Sequence, residues 1–134
     1  MTQIESIDVK SATREEMIDI TGPVRAAIRR SGVTSGLCCV FCPHTTAGVT
    51  IQENADPDVK SDMVTQLGRV VPKDGPFRHS EGNSDAHIKS SLIGASVTVI
   101  VADGKPLLGT WQAIFFCEFD GPRSRTVKVR VVPG

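Results

Sequence analysis

Aromatic side chains are scarce in this sequence. It also lacks an excess of charge of either sign, and it has no long apolar run. The chain has no tyrosine, one tryptophan and five phenylalanines, and its fifteen basic residues balance its fifteen acidic residues. Nucleic-acid-binding surfaces combine basic stripes with interleaved aromatic residues, so we expect no nucleic-acid partner. No apolar run approaches the roughly 20 residues that cross a bilayer, and the segment from Met1 to Asp8 lacks a signal-peptide pattern. We therefore expect a cytoplasmic protein that has no membrane partner.

Cysteine is also sparse, and three of the four cysteines fall in one short run. They are Cys38, Cys39 and Cys42, with Cys117 standing alone. A structural zinc site normally needs a second closely spaced pair. Free cysteine in an apolar run behaves as a small buried hydrophobe, so we expect core cysteines, with metal or redox use as the alternative.

The apolar pattern predicts a single compact α+β domain over residues 1–134, with a mostly antiparallel sheet or sandwich and two to three helices. Helices are predicted at 22–30, 57–71 and 85–93. Strands are predicted at 3–9, 15–20, 36–42, 47–52, 96–101, 107–119 and 126–132. We expect the first two strands to pair with each other, and Asp103-Gly104 to form a tight hairpin turn.

All three histidines fall in two polar segments, which have too few apolar residues to form part of a hydrophobic core. His79 and His87 lie within residues 78–88, and His44 lies in Pro-His-Thr-Thr-Ala-Gly at 43–48. Imidazole suits zinc and its neighbours among the transition metals, so the three histidines are a candidate metal site. Gly82 would let the intervening loop fold back. The alternative is that they are surface histidines in hydrophilic loops.

Three carboxylates in or near these segments are candidates for a fourth ligand, an orienting group or a general base. They are Glu53, Glu81 and Asp85. A solvated surface position is the alternative for each, because Asp and Glu are mostly exposed.

An anion site is a second interpretation of the same segments. The predicted helix that follows Asp85 offers free N–H groups and the positive end of its dipole. Arg123 and other basic residues, namely Arg78, Lys89 and Arg125, would add positive charge, unless they are ordinary surface residues. Thr45 and Thr46 either bind a ligand or satisfy the local backbone.

The strand predicted at 107–119 carries polar residues in an apolar setting. Trp111 is expected either in the core or as a stacking platform. Gln112 and Glu118 share a face with Ile114 and Phe116. Because a buried carboxylate needs a partner, Glu118 is expected to face a polar site, to pair with an arginine, or to lie under a subunit interface.

Five ordered motifs resemble the YjbQ-like family of small proteins. They are Pro-His-Thr-Thr-Ala at 43–47, Gln-Glu-Asn-Ala-Asp-Pro-Asp-Val at 52–59, His-Ser-Glu-Gly-Asn-Ser-Asp-Ala-His-Ile at 79–88, Gly-Thr-Trp-Gln at 109–112, and Cys-Glu-Phe-Asp-Gly-Pro-Arg at 117–123. The resemblance runs from about Ile18 to the end. It departs at Gln52, where an asparagine is expected. It implies an α+β fold with sandwich character in a homotrimer, with the three histidines lining one pocket, around a metal and near a subunit boundary.

The resemblance also implies a secondary thiamine-phosphate synthase activity. That reaction joins a hydroxymethylpyrimidine diphosphate to a thiazole phosphate and releases pyrophosphate. We assign Glu53, Asp85 and Glu118 to catalysis and His44, His79 and His87 to a divalent metal. The metal would be zinc or a similar ion, or Mg²⁺ brought with a diphosphate. The small phosphorylated metabolite is assigned to Thr45, Thr46, Asn83, Trp111, Gln112 and Arg123. The alternatives are a non-enzymatic protein that binds a small anion or a metal, and a metal-hydroxide hydrolase of phosphorylated metabolites.

Overall fold

Two antiparallel sheets face each other in the computed structural model, which describes residues 3–134. The first sheet has the strand order β1 (Glu5–Lys10), β8 (Ser124–Pro133), β3 (Ser35–Phe41), β5 (Ser96–Ala102) and β6 (Lys105–Pro106). The second has the order β2 (Glu16–Asp19), β7 (Gln112–Glu118) and β4 (Ala47–Glu53). The three helices are α1 (Thr21–Ser31), α2 (Pro57–Val70) and α3 (Ser84–Ile93). The predicted fold class, one compact α+β domain with a mostly antiparallel sheet, is confirmed.

The alternation along β7 explains how the layers are held together. Ile114 and Phe116 point into the main core between the two sheets, which α1 joins through Val24 and Ile28. Phe115 and the other odd-numbered side chains of the strand point to the opposite side, into a second cluster that Ala86 of α3 completes. Strand β7 is therefore buried on both faces, because the first sheet and α1 cover one face and α3 covers the other.

Local signals correctly placed several turns and helix ends. Asp103 and Gly104 both have positive φ, 53° and 72°, as the tight turn between β5 and β6 requires. The Asp56 side chain accepts a hydrogen bond of 2.9 Å from the backbone N–H of Asp58, and Pro57 occupies the first turn of α2. Within residues 3–134, no helix is long and apolar enough to cross a membrane.

Two expectations about the strands are wrong. The first two strands do not pair with each other, because β1 pairs with β8 in one sheet and β2 pairs with β7 in the other. The strand predicted over 107–119 begins only at Gln112, and the polypeptide before it turns so that the N–H of Gln112 bonds the carbonyl of Gly109 at 3.1 Å. This turn leaves Trp111 64% exposed, so of the two alternatives for this residue the core position is wrong.

Candidate anion-binding site

A polar cavity of about 620 Å³ opens where four connections meet at one end of the sandwich. They are the β1–β2 loop, the β3–β4 connection, the segment that enters α3, and the turn between β7 and β8. Its lining carries four basic residues and two histidines against two acidic residues. The lining residues are Arg14, Pro43, His44, Thr45, Thr46, Lys73, Glu81, Gly82, Asn83, His87, Asp120, Arg123 and Arg125. Positive charge therefore dominates a cavity of the size that holds small metabolites.

Arg125, in β8, is the most constrained of the basic groups. It is 5% exposed and donates from Nε to Glu118 Oε1 at 2.9 Å and from Nη2 to Glu118 Oε2. Nη2 also donates to the Thr46 hydroxyl at 2.8 Å. These hydrogen bonds fix the guanidinium group. Within the described chain, no hydrogen bond engages its Nη1, so that nitrogen stays free to donate to a ligand.

Glu118 supports this arrangement from beneath the cavity. It is fully buried and also accepts hydrogen bonds from the Ser11 hydroxyl at 2.8 Å and the Asp120 N–H at 3.1 Å. Burial raises the pKa of Glu118, but the hydrogen bonds from Arg125, Ser11 and Asp120 outweigh it and hold the pKa below its usual value. Glu118 is thus an ionised anchor for Arg125, and it does not line the cavity itself.

Arg123, Asp120 and Asn83 form a second network on the cavity wall. Arg123 donates from Nε to the Asp120 carbonyl at 2.8 Å and from Nη2 to the Asp120 carboxylate at 3.1 Å. Asn83 Nδ2 donates to the same carboxylate at 2.8 Å, which fixes the orientation of the amide. The buried Asn83 Oδ1 finds no partner among residues 3–134. A buried acceptor of this kind is costly unless a ligand donates to it.

Arg14 reaches the cavity from the loop that precedes β2, and a buried carboxylate holds it there. Its two terminal nitrogens lie 3.1 Å from the two oxygens of Asp85, which is fully buried in the first turn of α3. Lys89, one turn later and 2% exposed, lies 3.5 Å from Asp85 and also contacts Glu15. Burial raises the pKa of Asp85, but the hydrogen bonds and charge of Arg14 and the charge of Lys89 bring it below its usual value.

The entry to α3 takes the shape that its sequence predicts. Gly82 has φ +75°, a left-handed conformation that glycine adopts without strain, and it lets the loop turn into the helix. Asn83 occupies the N-cap position without a side-chain hydrogen bond to the helix. The positive end of the α3 dipole therefore lies at the cavity wall, between Glu81 and His87.

His44 is held against strand β8. Its Nε2 lies 2.9 Å from the Thr126 backbone nitrogen and 3.1 Å from the Thr126 carbonyl oxygen, so either tautomer has a partner. Burial, followed by the positive charge of Arg125, lowers the pKa of His44. The ring is therefore neutral near pH 7, and its Nδ1 is the nitrogen that the backbone leaves free.

The other two histidines lie side by side, and only one of them lines the polar cavity. The His79 and His87 ring centroids are 5.3 Å apart in an edge-to-face arrangement, and His79 Nε2 lies 3.7 Å from the Glu81 carboxylate. Within residues 3–134 of a single chain, no three His, Cys, Asp or Glu side chains are arranged to hold a metal ion. The three-histidine metal site stays a prediction.

Three predicted residues lie at the opposite end of the second sheet. Strand register places Ala47 opposite Glu118 but Glu53 opposite Gln112, and six strand residues span about 20 Å. Trp111 and Gln112 line a separate cavity of about 440 Å³ with Asn54 and Arg25. Glu53, Trp111 and Gln112 therefore do not meet the histidines within one chain.

The structure thus gathers His44, Thr45, Thr46, Asn83, His87 and Arg123 around one cavity and places Asp85 and Glu118 directly behind its arginines. The sequence analysis did not identify Arg14, Lys73 or Asp120. Arg14 lies outside every polar motif, whereas Asp120 stands inside the 117–123 motif, which was the one signal that could have identified it.

The cysteines take no part in the cavity. Cys38, Cys42 and Cys117 are buried, as expected of core residues, but Cys39 is exposed. Burial raises the pKa of the Cys117 thiol to about 12 and that of Cys38 to about 11. These two thiols are therefore unreactive at neutral pH.

The fold and the site define a small α+β sandwich protein with a cationic cavity at one end, and comparison with known proteins assigns its family. The profile described as UPF0047 protein YjbQ-like matches residues 5–134. A UPF0047 protein of Methanocaldococcus jannaschii is 56% identical over 124 residues, covering 92% of this chain and 90% of that protein. YugU of Bacillus subtilis, another UPF0047 protein, is 52% identical, covering 96% and 98%.

Solved structures agree with this assignment. A YjbQ/UPF0047 family protein from Clostridium acetobutylicum superposes with a TM-score of 0.94 at 52% identity, covering 96% of this chain and 99% of that one. A YbjQ-like protein from Sulfolobus solfataricus gives the same TM-score at 29% identity, covering 100% and 99%. The chain belongs to the UPF0047 YjbQ-like family.

Proposed function

We propose that the polar cavity binds a small phosphorylated metabolite and that the protein acts on it as an enzyme. The observation that carries the proposal is the pair of arginines on the cavity wall. Asp120 accepts from Nε of Arg123 through its carbonyl and from Nη2 through its carboxylate. Glu118 accepts from Nε and Nη2 of Arg125 through its two carboxylate oxygens. Both arginines line the cavity, and among residues 3–134 no hydrogen bond engages either Nη1. Such preorganised guanidinium groups match the geometry of phosphate oxygens.

The finer proposal is the reaction that the family resemblance implies, thiamine-phosphate synthesis with release of pyrophosphate. Departure of pyrophosphate leaves negative charge that must be stabilised. Arg123 and Arg125, with the N-terminus of α3, would supply that stabilisation. His44 and His87 line the same cavity, and imidazole is the side chain most used for proton transfer.

The geometry changes the roles proposed for the carboxylates. Asp85 and Glu118 are both buried in ion pairs, so they act by holding Arg14 and Arg125 and not as bases that touch the substrate. Of the acidic residues on the cavity wall, Glu81 is the more exposed. Glu53 would act on a substrate in this cavity only if a neighbouring subunit brought it there.

A divalent metal stays part of the proposal, but no step above depends on one. Within residues 3–134 of one chain, His79 and His87 pack against each other, and no third ligand is arranged with them to hold a metal ion. A third ligand would have to come from substrate or from another subunit. Mg²⁺ that arrives with a diphosphate is the other route.

Two surface features support the proposals that the protein is a homotrimer and that it is cytoplasmic. Leu37 lies directly between Val132 and Ile100 across three strands of the first sheet, and all three are about half exposed. This apolar strip supports the proposal of a homotrimer, which light scattering after size exclusion would measure. Four free cysteines, one of them exposed, suit a reducing compartment such as the cytoplasm.

A non-enzymatic anion-binding role is the second candidate. One observation favours this role. Both buried carboxylates of the site, Asp85 and Glu118, form ion pairs with arginines, so neither is free to act as a base. This role predicts saturable binding of phosphate compounds without product.

The experiment is a pyrophosphate-release assay with a hydroxymethylpyrimidine diphosphate and a thiazole phosphate. Wild type is compared with Arg123→Gln and with the control Arg69→Gln, which changes an arginine in the last turn of α2. We expect wild type and control to release pyrophosphate only when both substrates are present, and Arg123→Gln to be slower by at least tenfold. Binding without release would support the second candidate, and equal rates in all three proteins would contradict the proposal.

Metal content is measured on the same protein, purified without an affinity tag, beside His87→Ala. About one metal per chain, lost in the variant, would support a metal-dependent reaction. Full turnover by metal-free wild type would contradict it.

A further inference from the structure

Two oxygen atoms of residues in the polar cavity wall can accept a hydrogen bond and receive none among residues 3–134. The first is Asn83 Oδ1, which is buried. The second is Asp120 Oδ1, because the two hydrogen bonds to that carboxylate, from Asn83 Nδ2 at 2.8 Å and from Arg123 Nη2 at 3.1 Å, both end on Oδ2. A cavity rich in cationic donors thus also has two unused acceptors.

The surrounding hydrogen bonds keep Asn83 Oδ1 an acceptor. Its amide cannot turn over, because that would place the oxygen against the carboxylate of Asp120 in place of Nδ2. The amide is not used by the helix either, since Asn83 is the N-cap residue of α3 and makes no side-chain capping bond. An ionised carboxylate such as that of Asp120 also only accepts. Both groups therefore require a ligand that donates.

The two acceptors lie next to the anion-binding edge of Arg123. Arg123 and Asn83 donate to the same oxygen of Asp120, so an anion held by the unused Nη1 of Arg123 is a near neighbour of both acceptors. An oxyanion without a proton would set its own oxygens against them and leave them unpaired, which costs free energy. An oxyanion that keeps one proton can donate it to them.

Phosphate and sulfate differ in this one respect. Both are tetrahedral, but a phosphate group has a second pKa of about 6, so near neutral pH part of it still carries a proton. Sulfate carries none at the same pH. A site made of donors alone would bind sulfate at least as tightly as phosphate, because sulfate has at least as much negative charge.

We propose that Asn83 and Asp120 select a phosphate group that keeps a proton, and that they exclude sulfate. The phosphate hydroxyl donates to this pair of acceptors, while the other phosphate oxygens accept from Arg123 and Arg125. Asn83 and Asp120 are thus specificity-determining residues. The inference rests on the proposed function, because it takes the phosphate to be held by the arginines of the polar cavity.

The test measures the dissociation constants of inorganic phosphate and inorganic sulfate by calorimetry at about pH 6. Both probes meet the same other charged or titratable side chains of the cavity, which are Arg14, His44, Lys73, Glu81, His87 and Arg125. The ratio of the two constants at one pH therefore reports the acceptors. We expect wild type to bind phosphate at least tenfold more tightly than sulfate, the size of one hydrogen bond to a charged group.

Asp120→Asn is the sharpest variant because both bonds to the carboxylate end on one oxygen. The new amide oxygen can replace Oδ2 and keep the bonds from Asn83 and Arg123, which puts an NH₂ donor in place of the unused Oδ1. We expect sulfate to bind more tightly, and the preference for phosphate to fall to about onefold. Loss of the negative charge strengthens both anions alike, so it does not change the ratio.

A second variant and a matched control complete the set. Asn83→Ala should lower the preference severalfold, because it removes the buried acceptor and lets water take its place. Asp19→Asn is the control, since the Asp19 carboxylate also accepts from an asparagine, Asn54 Nδ2 at 2.7 Å, but lines the separate cavity that contains Trp111. The control should keep the wild-type ratio.

The other outcomes separate this inference from the proposed function. A ratio near one or in favour of sulfate in wild type overturns the selection while the anion cavity stands, provided that Arg123→Gln weakens both anions. A wild-type ratio that survives in both Asp120→Asn and Asn83→Ala overturns the assignment of these two residues. If wild type does not bind phosphate, or Arg123→Gln binds both anions as wild type does, the proposed function fails and the selection fails with it.

Discussion

Replacing Arg125 with leucine would leave one of the two fully buried carboxylates of the site without its cation. Glu118 is 0% exposed and Arg125 is 5% exposed, and they share two hydrogen bonds. In the variant, Glu118 would keep only the Ser11 hydroxyl and the Asp120 N–H as donors. The free energy of unfolding should therefore fall sharply.

The size of the loss follows from the burial of the pair. Removing one partner of a buried ion pair costs about 3–5 kcal/mol, because an uncompensated charge is left behind. Losing two hydrogen bonds to a charged group, at about 1.5–3 kcal/mol each, gives a similar figure. We therefore expect a loss of about 4 kcal/mol at pH 7.

Urea unfolding at a fixed protein concentration measures this loss. With an m-value of about 2 kcal/mol/M, the midpoint should move down by about 2 M. Arg123→Leu is the control, because Arg123 is half exposed and its ion pair with Asp120 should contribute less than about 1 kcal/mol. The double variant Glu118→Leu and Arg125→Leu should recover most of the stability, since no buried charge remains.

The pH dependence has a definite sign. In wild type, the folded-state pKa of Glu118 is lowered, so its contribution to stability is present above the ordinary glutamate pKa of about 4.3 and is lost as the pH falls through the folded-state value. In Arg125→Leu, burial acts without its counter-ion and raises that pKa, so the destabilisation appears above pH 4.3 and is relieved below it. The difference between the two proteins should shrink from pH 7 toward pH 4. A difference below 1 kcal/mol at pH 7, or one that grows in acid, would refute this reasoning.

Two further variants test the packing behind the cavity. Lys89→Met removes a cation that is 2% exposed, and we expect a loss of about 3 kcal/mol in urea unfolding, whereas the exposed control Lys105→Met should stay within about 0.5 kcal/mol. Equal midpoints for the two lysine variants would contradict a structural role for the buried charge. Gly48→Ala would place a methyl carbon 2.7 Å from the Gly94 carbonyl oxygen, where α3 ends against β4, and should cost about 1–3 kcal/mol by thermal or urea unfolding. An unchanged melting temperature would show that this contact is loose.

Local signals in the sequence predicted much of the fold because they depend on neighbouring residues alone. The proline after Asp56 and the Asp103-Gly104 pair correctly marked a helix start and a hairpin. Strand pairing depends on distant residues, and sequential strands are neighbours only about two-thirds of the time. That is why the expected β1–β2 pair was wrong and both strands found partners more than 90 residues away.

The site shows the same division between local and distant information. Polar motifs correctly indicated where loops leave the sheets, but the end of the molecule at which each loop lies is set by strand register. Thr46 immediately precedes β4 and Glu53 ends it, so the length of the strand places them about 20 Å apart, at opposite ends of the second sheet. Arg14 was missed because its role arises from a contact with Asp85, 71 residues later, which no local pattern predicts.

Pyrophosphate titrated into the protein in a calorimeter tests the central claim, a phosphate-binding cavity centred on its arginines, most directly. The comparison uses wild type, Arg123→Gln and Arg69→Gln, because Arg123 is half exposed and its loss should leave the fold intact. The account predicts saturable binding to wild type and Arg69→Gln, and binding at least tenfold weaker to Arg123→Gln. Absence of binding to wild type, or equal affinity in all three proteins, would contradict it.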